Sequence, residues 1–198
     1  MTLKIHFYVL LFLLIYNQLF SQDYYTKFHH IASENGVHQT GFRYVFRDKF
    51  GFLWISGFNN IDKYDGYKAQ HIPTNEGSIF EGKAYGFMSE DTLGNIWIPS
   101  DAGLIQYNRA EDLFKKIHLP GLDSSIHFIT ISFRDEDGDI WIQDYETNLY
   151  CINPYNLNYK VYKSDKAIKN GLPSGGIMGI TQDKNGFLWF SPWGKGLV

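Results

Sequence analysis

Short apolar stretches alternate with polar turns along most of the chain. Phe42–Arg47 is rich in aromatic and β-branched residues and predicts a first strand. The polar turn Asp48–Gly51 follows it. Three further strands are then predicted, over Phe52–Ser56, Ile61–Asp65 and Tyr67–Ile72. Strands this short, with turns between them, indicate an antiparallel β unit.

The block that joins the first two strands occurs four times, as Asp-x-x-Gly-x-(Leu/Ile)-Trp-(Ile/Phe). Its aspartate, glycine and tryptophan positions are Asp48, Gly51 and Trp54, then Asp91, Gly94 and Trp97, then Asp135, Gly138 and Trp141, then Asp183, Gly186 and Trp189. Successive tryptophans are 43, 44 and 48 residues apart. A period of roughly 40–50 residues indicates a repeat architecture whose units bury their apolar faces against one another.

The other units repeat the strand order of the first. Third strands are predicted over Leu104–Asn108 and Leu149–Asn153, and fourth strands over Leu113–Leu119 and Tyr159–Lys163. Fixed repetition of four short strands favours a β-propeller, whose blades are four-stranded sheets around a central channel. We therefore expect an all-β fold, a partial and open propeller of about four blades.

The repeated side chains have a structural and a functional interpretation. One tryptophan per unit at a fixed register favours packing between neighbouring sheets over a sugar-stacking surface. A single aspartate per turn favours capping of backbone N–H groups over metal binding or acid–base catalysis. The glycine tolerates the positive φ of a tight turn. We expect no catalytic residue, no metal site and no cofactor.

These residues resemble the two-component regulator propeller repeat, whose pattern runs roughly Val-x-x-Ile-x-x-Asp-x-x-Gly-x-Leu-Trp-Ile-Gly-Thr and continues with Gly-Leu-x-x-Tyr-Asp. Further parts of the pattern match Tyr64-Asp65, Gly103-Leu104 and Gly171–Ser174. The small pair expected after the tryptophan is replaced by Pro99-Ser100, Gln143-Asp144 and Ser191-Pro192. These departures leave the expected fold in place and weaken any inference about blade-specific ligand contacts.

The resemblance implies a sensor, the N-terminal extracytoplasmic region of bacterial hybrid two-component receptors, which often respond to glycan fragments. In full-length relatives a β-sandwich, a membrane helix, a histidine kinase and a response regulator follow. This sequence has no kinase phospho-acceptor helix, and Gly194–Gly196 lacks the spacing of a phosphate-binding loop. We expect no enzyme activity on this chain.

The first residues have the organisation of a secretory signal peptide. Met1–Lys4 is short and positive, Ile5–Tyr16 is apolar apart from His6, and Ser21 offers a small residue for cleavage. The apolar run is shorter than the roughly 20 residues of a membrane-spanning helix. We expect export to the periplasm, with an uncleaved N-terminal anchor as the alternative.

Net charge and cysteine content argue against some classes of function and of stabilising bond. The net charge is −3 and there is no basic run, which argues against a nucleic-acid partner. Aromatic residues make up 18% of the chain, as suits a β protein. Cys151 is the single cysteine, so there is no internal disulfide, and we expect it to be a buried, inert thiol.

The predicted organisation is a signal peptide at 1–21, an N-terminal strand segment at 22–35, and blades at 36–80, 81–122, 123–168 and 169–198. Gly196–Val198 aligns with Gly103–Ile105, so the fourth blade is expected to be incomplete. Tyr25–Ile31 is predicted as a strand that completes a last blade. Either the chain is the front of a longer receptor, or four blades close with that strand as a clasp. We favour the first, an open arc that is poorly soluble alone.

The loops that lead into the inner strands are the predicted ligand-binding positions. Eight residues before the four repeat aspartates stand Thr40, Lys83, His127 and Gly175, and five before the first stands Arg43. Their varied polar side chains predict hydrogen bonds to a sugar or its carboxylate, and ordinary solvated loop residues are the alternative. Weaker candidates are His38 and Trp193, and His29-His30 is interpreted as a surface pair.

The leading functional hypothesis is a binding module for a small molecule or oligosaccharide. Its other expected partners are the remaining blades and domains of a longer receptor, with a dimer as one option. Contact with the membrane is expected only through a downstream part or an uncleaved signal. The alternatives are a secreted propeller glycosidase or lyase, and a protein-interaction scaffold. A glycosidase needs two carboxylates within roughly 5–10 Å of each other, and acidic pairs occur only in turns or surface runs such as Asp135–Asp137.

Overall fold

The computed structural model describes residues 6, 28–37, 41–57, 60–74, 77–81, 87–123, 128–164, 171–172, 174–194 and 196–198. The predicted signal peptide therefore lies outside the described residues, apart from His6. Alternating apolar and polar residues over the rest of the chain form strands, as the sequence predicts.

Within the described residues, fourteen strands form four antiparallel sheets that follow one another along the chain. The first sheet contains β1 (Phe42–Arg47), β2 (Leu53–Gly57), β3 (Asn60–Tyr64) and β4 (Ala69–Pro73). The second contains β5 (Ser89–Glu90), β6 (Ile96–Ser100), β7 (Gly103–Asn108) and β8 (Leu113–Ile117). The third contains β9 (Phe128–Arg134), β10 (Ile140–Asp144), β11 (Leu149–Ile152) and β12 (Tyr159–Tyr162). The fourth contains β13 (Ile177–Gln182) and β14 (Leu188–Pro192).

Strand order within each sheet follows the sequence, so the first three sheets are four-stranded meanders of the kind that forms a propeller blade, and the fourth is a two-stranded hairpin. No sheet closes on itself among the described residues. The predicted fold class, a partial all-β propeller of about four blades, is confirmed. The strand bounds lie inside the predicted blade ranges, whose limits stay predictions.

The repeated glycine ends a tight turn between the first two strands of each blade. In the first blade the Gly51 N–H donates to the Asp48 carbonyl over 3.0 Å, and Gly51 has a φ of 94°. The matching glycines Gly94, Gly138 and Gly186 have φ values of 91°, 92° and 84°. A side chain is disfavoured at such φ values, which accounts for glycine at this register.

The core lies between neighbouring sheets. Trp54 of β2 packs with the second sheet, its ring centroid 5.1 Å from that of Tyr107. Trp97 of β6 shares a cluster with Ile140 of the third sheet. Trp141 of β10 packs with residues of β13 and β14. Each of these three tryptophans thus fills the space between its own sheet and the next one in the sequence, the packing role expected of it.

The fourth tryptophan differs from the others. Trp54 and Trp97 are 0% exposed and Trp141 is 8% exposed, whereas 39% of Trp189 is exposed. Among the described residues, no further sheet covers Trp189. The edge of this sheet also shows the start of a third-strand pairing, because the N–H groups of Phe190 and Val198 donate to each other's carbonyls over 2.7 and 3.0 Å. The pair Ile98 and Ile105 has the same register in the second blade.

The N-terminal segment departs from the predicted strand. Positions 25–27 lie outside the described residues, and positions 28–31 are not in a strand. A 3-10 turn forms instead at Ser33–Asn35. Ile31 and Val37 pack with Ile55 and other apolar residues of the first blade, so hydrophobic burial against that blade orders this segment.

Candidate functional site

Each repeat aspartate accepts hydrogen bonds from the tryptophan six residues later and from the turn that lies between them. Asp91 Oδ2 accepts from Trp97 Nε1 over 3.0 Å, and Asp91 Oδ1 accepts from the backbone N–H groups of Leu93 and Asn95. The same carboxylate–indole bond measures 3.0 Å in the first blade, 2.7 Å in the third and 3.0 Å in the fourth. The backbone bonds are the caps that the sequence predicts. The indole bonds were not foreseen, although the constant spacing of Asp and Trp was a signal for them.

The first and second blades are also joined by the guanidinium of Arg109. It donates to Asp48 Oδ2 over 2.5 Å and to the Gly94 carbonyl over 2.8 Å, and it lies 4.4 Å from the centre of the Phe50 ring. Burial acts to raise the pKa of Asp48, but hydrogen bonds from Trp54 and Arg109, with the charge of Arg109, outweigh it and hold the pKa below its ordinary value. Asp48 is therefore an ionised structural acceptor.

A second cation is enclosed by aromatic rings at the same interface. Lys63 Nζ lies 3.0 Å from the Tyr107 hydroxyl and 4.7 Å from the centre of the Phe52 ring. Burial lowers the pKa of Lys63. Burial, together with the hydrogen bond from Tyr107 to Asp112, raises the pKa of Tyr107 to about 12. Lys63, Tyr107 and Asp112 therefore bind one another and stabilise the boundary between the first two blades.

A polar cavity of about 260 Å³ lies among the first strands of three consecutive blades. It is lined by Tyr44, Phe46 and Arg47 of β1, by Met88, Ser89 and Glu90 at β5, and by Ser132, Phe133 and Arg134 of β9. First strands line the central channel of a propeller, which is where a ligand can reach several blades at once. The cavity is therefore the candidate site that the described residues offer.

The charged groups that line this cavity differ in whether they have a hydrogen-bond partner. Glu90 Oε2 accepts from the backbone N–H of Lys49 over 2.8 Å, whereas Glu90 Oε1 is buried and has no hydrogen-bond partner. Arg47 and Arg134 are exposed, and neither guanidinium has a hydrogen-bond or ion-pair partner among the described residues. The hydroxyls of Ser89 and Ser132 lie 2.5 Å apart. Two cations, one free carboxylate oxygen and two hydroxyls therefore line one cavity.

Three of the predicted ligand-binding residues, Thr40, Lys83 and His127, lie outside the described residues, as does His38. Arg43 is exposed on β1. Gly175 accepts a hydrogen bond from the side chain of Gln143 over 3.4 Å. Trp193 is 72% exposed, and His29 and His30 are exposed. Of the candidates that the structure describes, none lines the cavity, and the residues that line it were not predicted from the sequence.

The lining residues could have been found from their register. Arg47, Glu90, Arg134 and Gln182 each stand immediately before a repeat aspartate, a polar position that differs from blade to blade. Gln182 Oε1 accepts from the Glu136 N–H over 2.7 Å, as Glu90 does from Lys49. The guanidinium of an arginine cannot accept a hydrogen bond from a backbone N–H group. Arg47 and Arg134 therefore do not form this contact and are available to a ligand.

Cys151 lies near two carboxylates of the third blade. Its Sγ donates to Asp139 Oδ2 over 3.6 Å, and Asp135 lies close enough for the three side chains to share a cation. Asp135 already accepts from Trp141, and Asp139 accepts from Asn153. Burial, followed by the charge of Asp139, raises the pKa of Cys151 to about 12. The thiol is therefore protonated and unreactive, although it is only partly buried rather than fully buried as expected.

A larger groove of about 520 Å³ lies on the outer strands of the first two blades. His71 is its titratable residue, and His71 Nδ1 lies 3.0 Å from the buried Asp62. Most of its other lining residues are apolar or small, among them Ile72, Phe80 and Phe114. The groove therefore has fewer charged groups for binding a polar ligand than the cavity among the first strands.

No helix in the part of the chain that the structure describes combines the length and hydropathy needed to cross a membrane.

Comparison with known proteins bears on this repeated architecture. Residues 171–194 match the family model described as two component regulator propeller. The resemblance predicted from the sequence is confirmed over this segment, which includes β13 and β14. A comparison with curated proteins gave no match.

Solved structures share the fold. The extracellular domain of a putative hybrid two-component system from B. thetaiotaomicron has a TM-score of 0.67 at 20% identity, over 85% of this chain and 24% of that chain. A second such domain from the same organism has a TM-score of 0.65 at 18% identity, over 80% and 21%. PorZ, a surface component of the type-IX secretion system of Porphyromonas gingivalis, has a TM-score of 0.57 at 16% identity, over 75% and 23%. The chain thus spans at most about a quarter of these proteins, and the similarity concerns their fold.

Proposed function

We propose that this chain is the ligand-sensing propeller region of a two-component receptor, that it acts in the periplasm, and that its ligand is a glycan. The match of residues 171–194 to the two component regulator propeller carries the proposal, because the same block recurs in the three preceding blades. The fold shared with extracellular domains of putative hybrid two-component systems supports it. The signal-peptide pattern of residues 1–21 supports the location.

In this proposal the chain binds its ligand and does not catalyse a reaction. The repeat aspartates are committed to the indole N–H groups of their tryptophans, so they serve as structural acceptors. The variable polar side chains on the first strands are left to contact a ligand. The kinase activity of the receptor belongs to domains outside this sequence, and the remaining blades of the receptor pack against those described here.

A glycan-array screen with the purified chain tests the binding function. We expect saturable binding of at least one oligosaccharide without any change in that oligosaccharide over hours. The heat-denatured chain is the matched control, because it keeps the composition and loses the fold. Release of new reducing ends from the bound glycan would instead establish an enzyme. Absence of glycan binding together with stoichiometric capture of a partner protein would establish a scaffold.

Fusion of residues 1–21 to alkaline phosphatase tests the location, because that reporter is active only where its disulfides form. We expect activity with the fusion and none with the reporter alone. Equal activity of the two would contradict export.

The coding sequence downstream of Val198 tests the receptor assignment. Further repeats, a membrane segment and a kinase in the same frame are expected, and their absence would count against it.

A further inference from the structure

We infer that the cavity among β1, β5 and β9 binds a carboxylate-bearing sugar, with Arg47 and Arg134 as the residues that hold the carboxylate. The inference rests on the proposed glycan-sensing function and names the chemical class of the ligand. The cavity belongs to three blades at once, so a ligand there contacts residues that are distant in sequence.

Two arginines and one carboxylate, that of Glu90, line the cavity, so its charges favour an anion. Arg47 and Arg134 both line it and are exposed, and neither has a partner among the described residues. Guanidinium groups match the geometry of a carboxylate and donate two parallel hydrogen bonds to it. A neutral sugar would leave both charges unpaired.

The remaining polar groups favour a ligand that also carries hydroxyls. Glu90 Oε1 is a buried acceptor without a donor, and a sugar hydroxyl supplies one. The hydroxyls of Ser89 and Ser132 can both donate and accept. A simple inorganic anion would satisfy the arginines and leave Glu90 unsatisfied.

The apolar part of the lining suits a sugar ring. Tyr44, Phe46 and Phe133 contribute aromatic surface beside the polar groups. The volume of about 260 Å³ lies just below the roughly 300–1,000 Å³ of pockets for drug-sized ligands. The cavity therefore takes one sugar unit, free or at the end of an oligosaccharide.

Calorimetric titration of the purified full chain with D-galacturonate tests the inference, with D-galactose as the matched neutral probe. The two probes differ only in whether carbon 6 is a carboxylate or an alcohol. We expect saturable binding of galacturonate in the micromolar to millimolar range and at least about tenfold weaker binding of galactose. Arg47→Gln and Arg134→Gln should each weaken galacturonate binding about tenfold or more, since each removes one charged donor.

Lys116→Gln is the matched control variant. It also removes one positive charge, but Lys116 lies on β8, the outermost strand of the second blade. Its galacturonate affinity should equal that of the unchanged chain. Arg47 and Arg134 are exposed, so their replacement should leave the melting temperature unchanged, which shows that any loss of binding is local.

Any of four results would overturn the inference. Equal affinity for galacturonate and galactose would remove the role of the carboxylate and leave glycan sensing intact. Unchanged galacturonate binding by both arginine variants would locate the binding site elsewhere. Failure of the unchanged chain to bind galacturonate, while a neutral glycan binds on the array, would reject the ligand class alone. Failure to bind any glycan rejects this inference and the proposed function together.

Discussion

Trp97 donates its indole N–H to Asp91 Oδ2 over 3.0 Å, in the middle of the contact between the second and third blades. Both groups are buried, and each satisfies the hydrogen-bonding requirement of the other. The six-residue spacing recurs in every blade, with the same bond. A carboxylate from the turn thus fixes the orientation of the large ring that packs against the next sheet.

Trp97→Ala should lower the free energy of unfolding by about 3–5 kcal/mol, because it removes a fully buried ring from the boundary between two sheets. Urea denaturation followed by circular dichroism measures the change. Trp189→Ala is the matched control and should cost clearly less, since 39% of that residue is exposed. A loss below about 1 kcal/mol for Trp97→Ala would contradict the packing role.

Asp91→Asn should lower the free energy of unfolding by about 1.5–3 kcal/mol. Asparagine has one carbonyl oxygen, so its amide N–H₂ group must face either the indole N–H or the N–H groups of the turn. The same urea experiment measures the change. Asp183→Asn, in the solvated fourth blade, should cost less because water can replace the lost acceptor. Equal losses for the two variants would show that burial does not set the strength of this bond.

Arg109→Ala should lower the free energy of unfolding by about 1–3 kcal/mol at pH 7, because it leaves the buried Asp48 carboxylate without its ionic partner. Lys115→Ala, which breaks an exposed pair with Glu111, is the matched control and should cost at most about 1 kcal/mol. Similar losses for the two variants at pH 7 would count against a special role of Arg109.

The effect of Arg109→Ala should also depend on pH. A carboxyl group whose pKa is lowered on folding stabilises the fold above its unfolded value, here 3.8, and this stabilisation disappears as the pH falls through the folded pKa. The difference between the variant and the unchanged chain should therefore shrink as the pH falls below 3.8 and through the lowered pKa of folded Asp48. Urea titrations from pH 7 to pH 2 measure it, and a difference that does not change with pH would rule out the Asp48 charge as its cause.

Cys151 should react with iodoacetamide much more slowly in the folded chain than in urea. The thiolate is the reactive form, and a pKa of about 12 in place of 9.0 lowers its fraction about a thousandfold at pH 8. Mass spectrometry of timed samples measures the rate. Asp139→Asn removes a nearby negative charge and should accelerate the labelling of the folded chain. Equal rates in the folded chain and in urea would contradict the buried, protonated thiol.

The strands could be predicted from sequence because their determinants are local. The predicted bounds of β1, Phe42–Arg47, agree with the structure. The fourth strand of the same blade was predicted to begin at Tyr67 and begins at Ala69. Asp65 Oδ1 accepts from the N–H groups of Tyr67 and Lys68, which holds both residues in the turn, and Tyr67 is 87% exposed. The aromatic side chain of Tyr67 predicts a strand by its propensity, but the hydrogen bond to Asp65 keeps this residue in the turn.

The candidate cavity could not be predicted in the same way. Arg47 and Arg134 are 87 positions apart in the sequence and line the same cavity only because three blades place their first strands around it. The positions predicted from the sequence to contact a ligand, such as Arg43, lie at the other end of these strands. The register of the charged lining residues, directly before a repeat aspartate, is visible in the sequence, but their meeting in one cavity depends on the packing of three blades.

Each of the first three repeat tryptophans is buried by the sheet that comes after it in the sequence, as Trp54 is by the second blade and Trp97 by the third. The chain is synthesised from the N-terminus, so the ring is made before the surface that covers it. Until the next blade is present, whether before or after the proposed export, the chain presents an apolar sheet face, and each new blade covers this face and exposes the next. A delay within a repeat should prolong the exposure and increase the demand for chaperones.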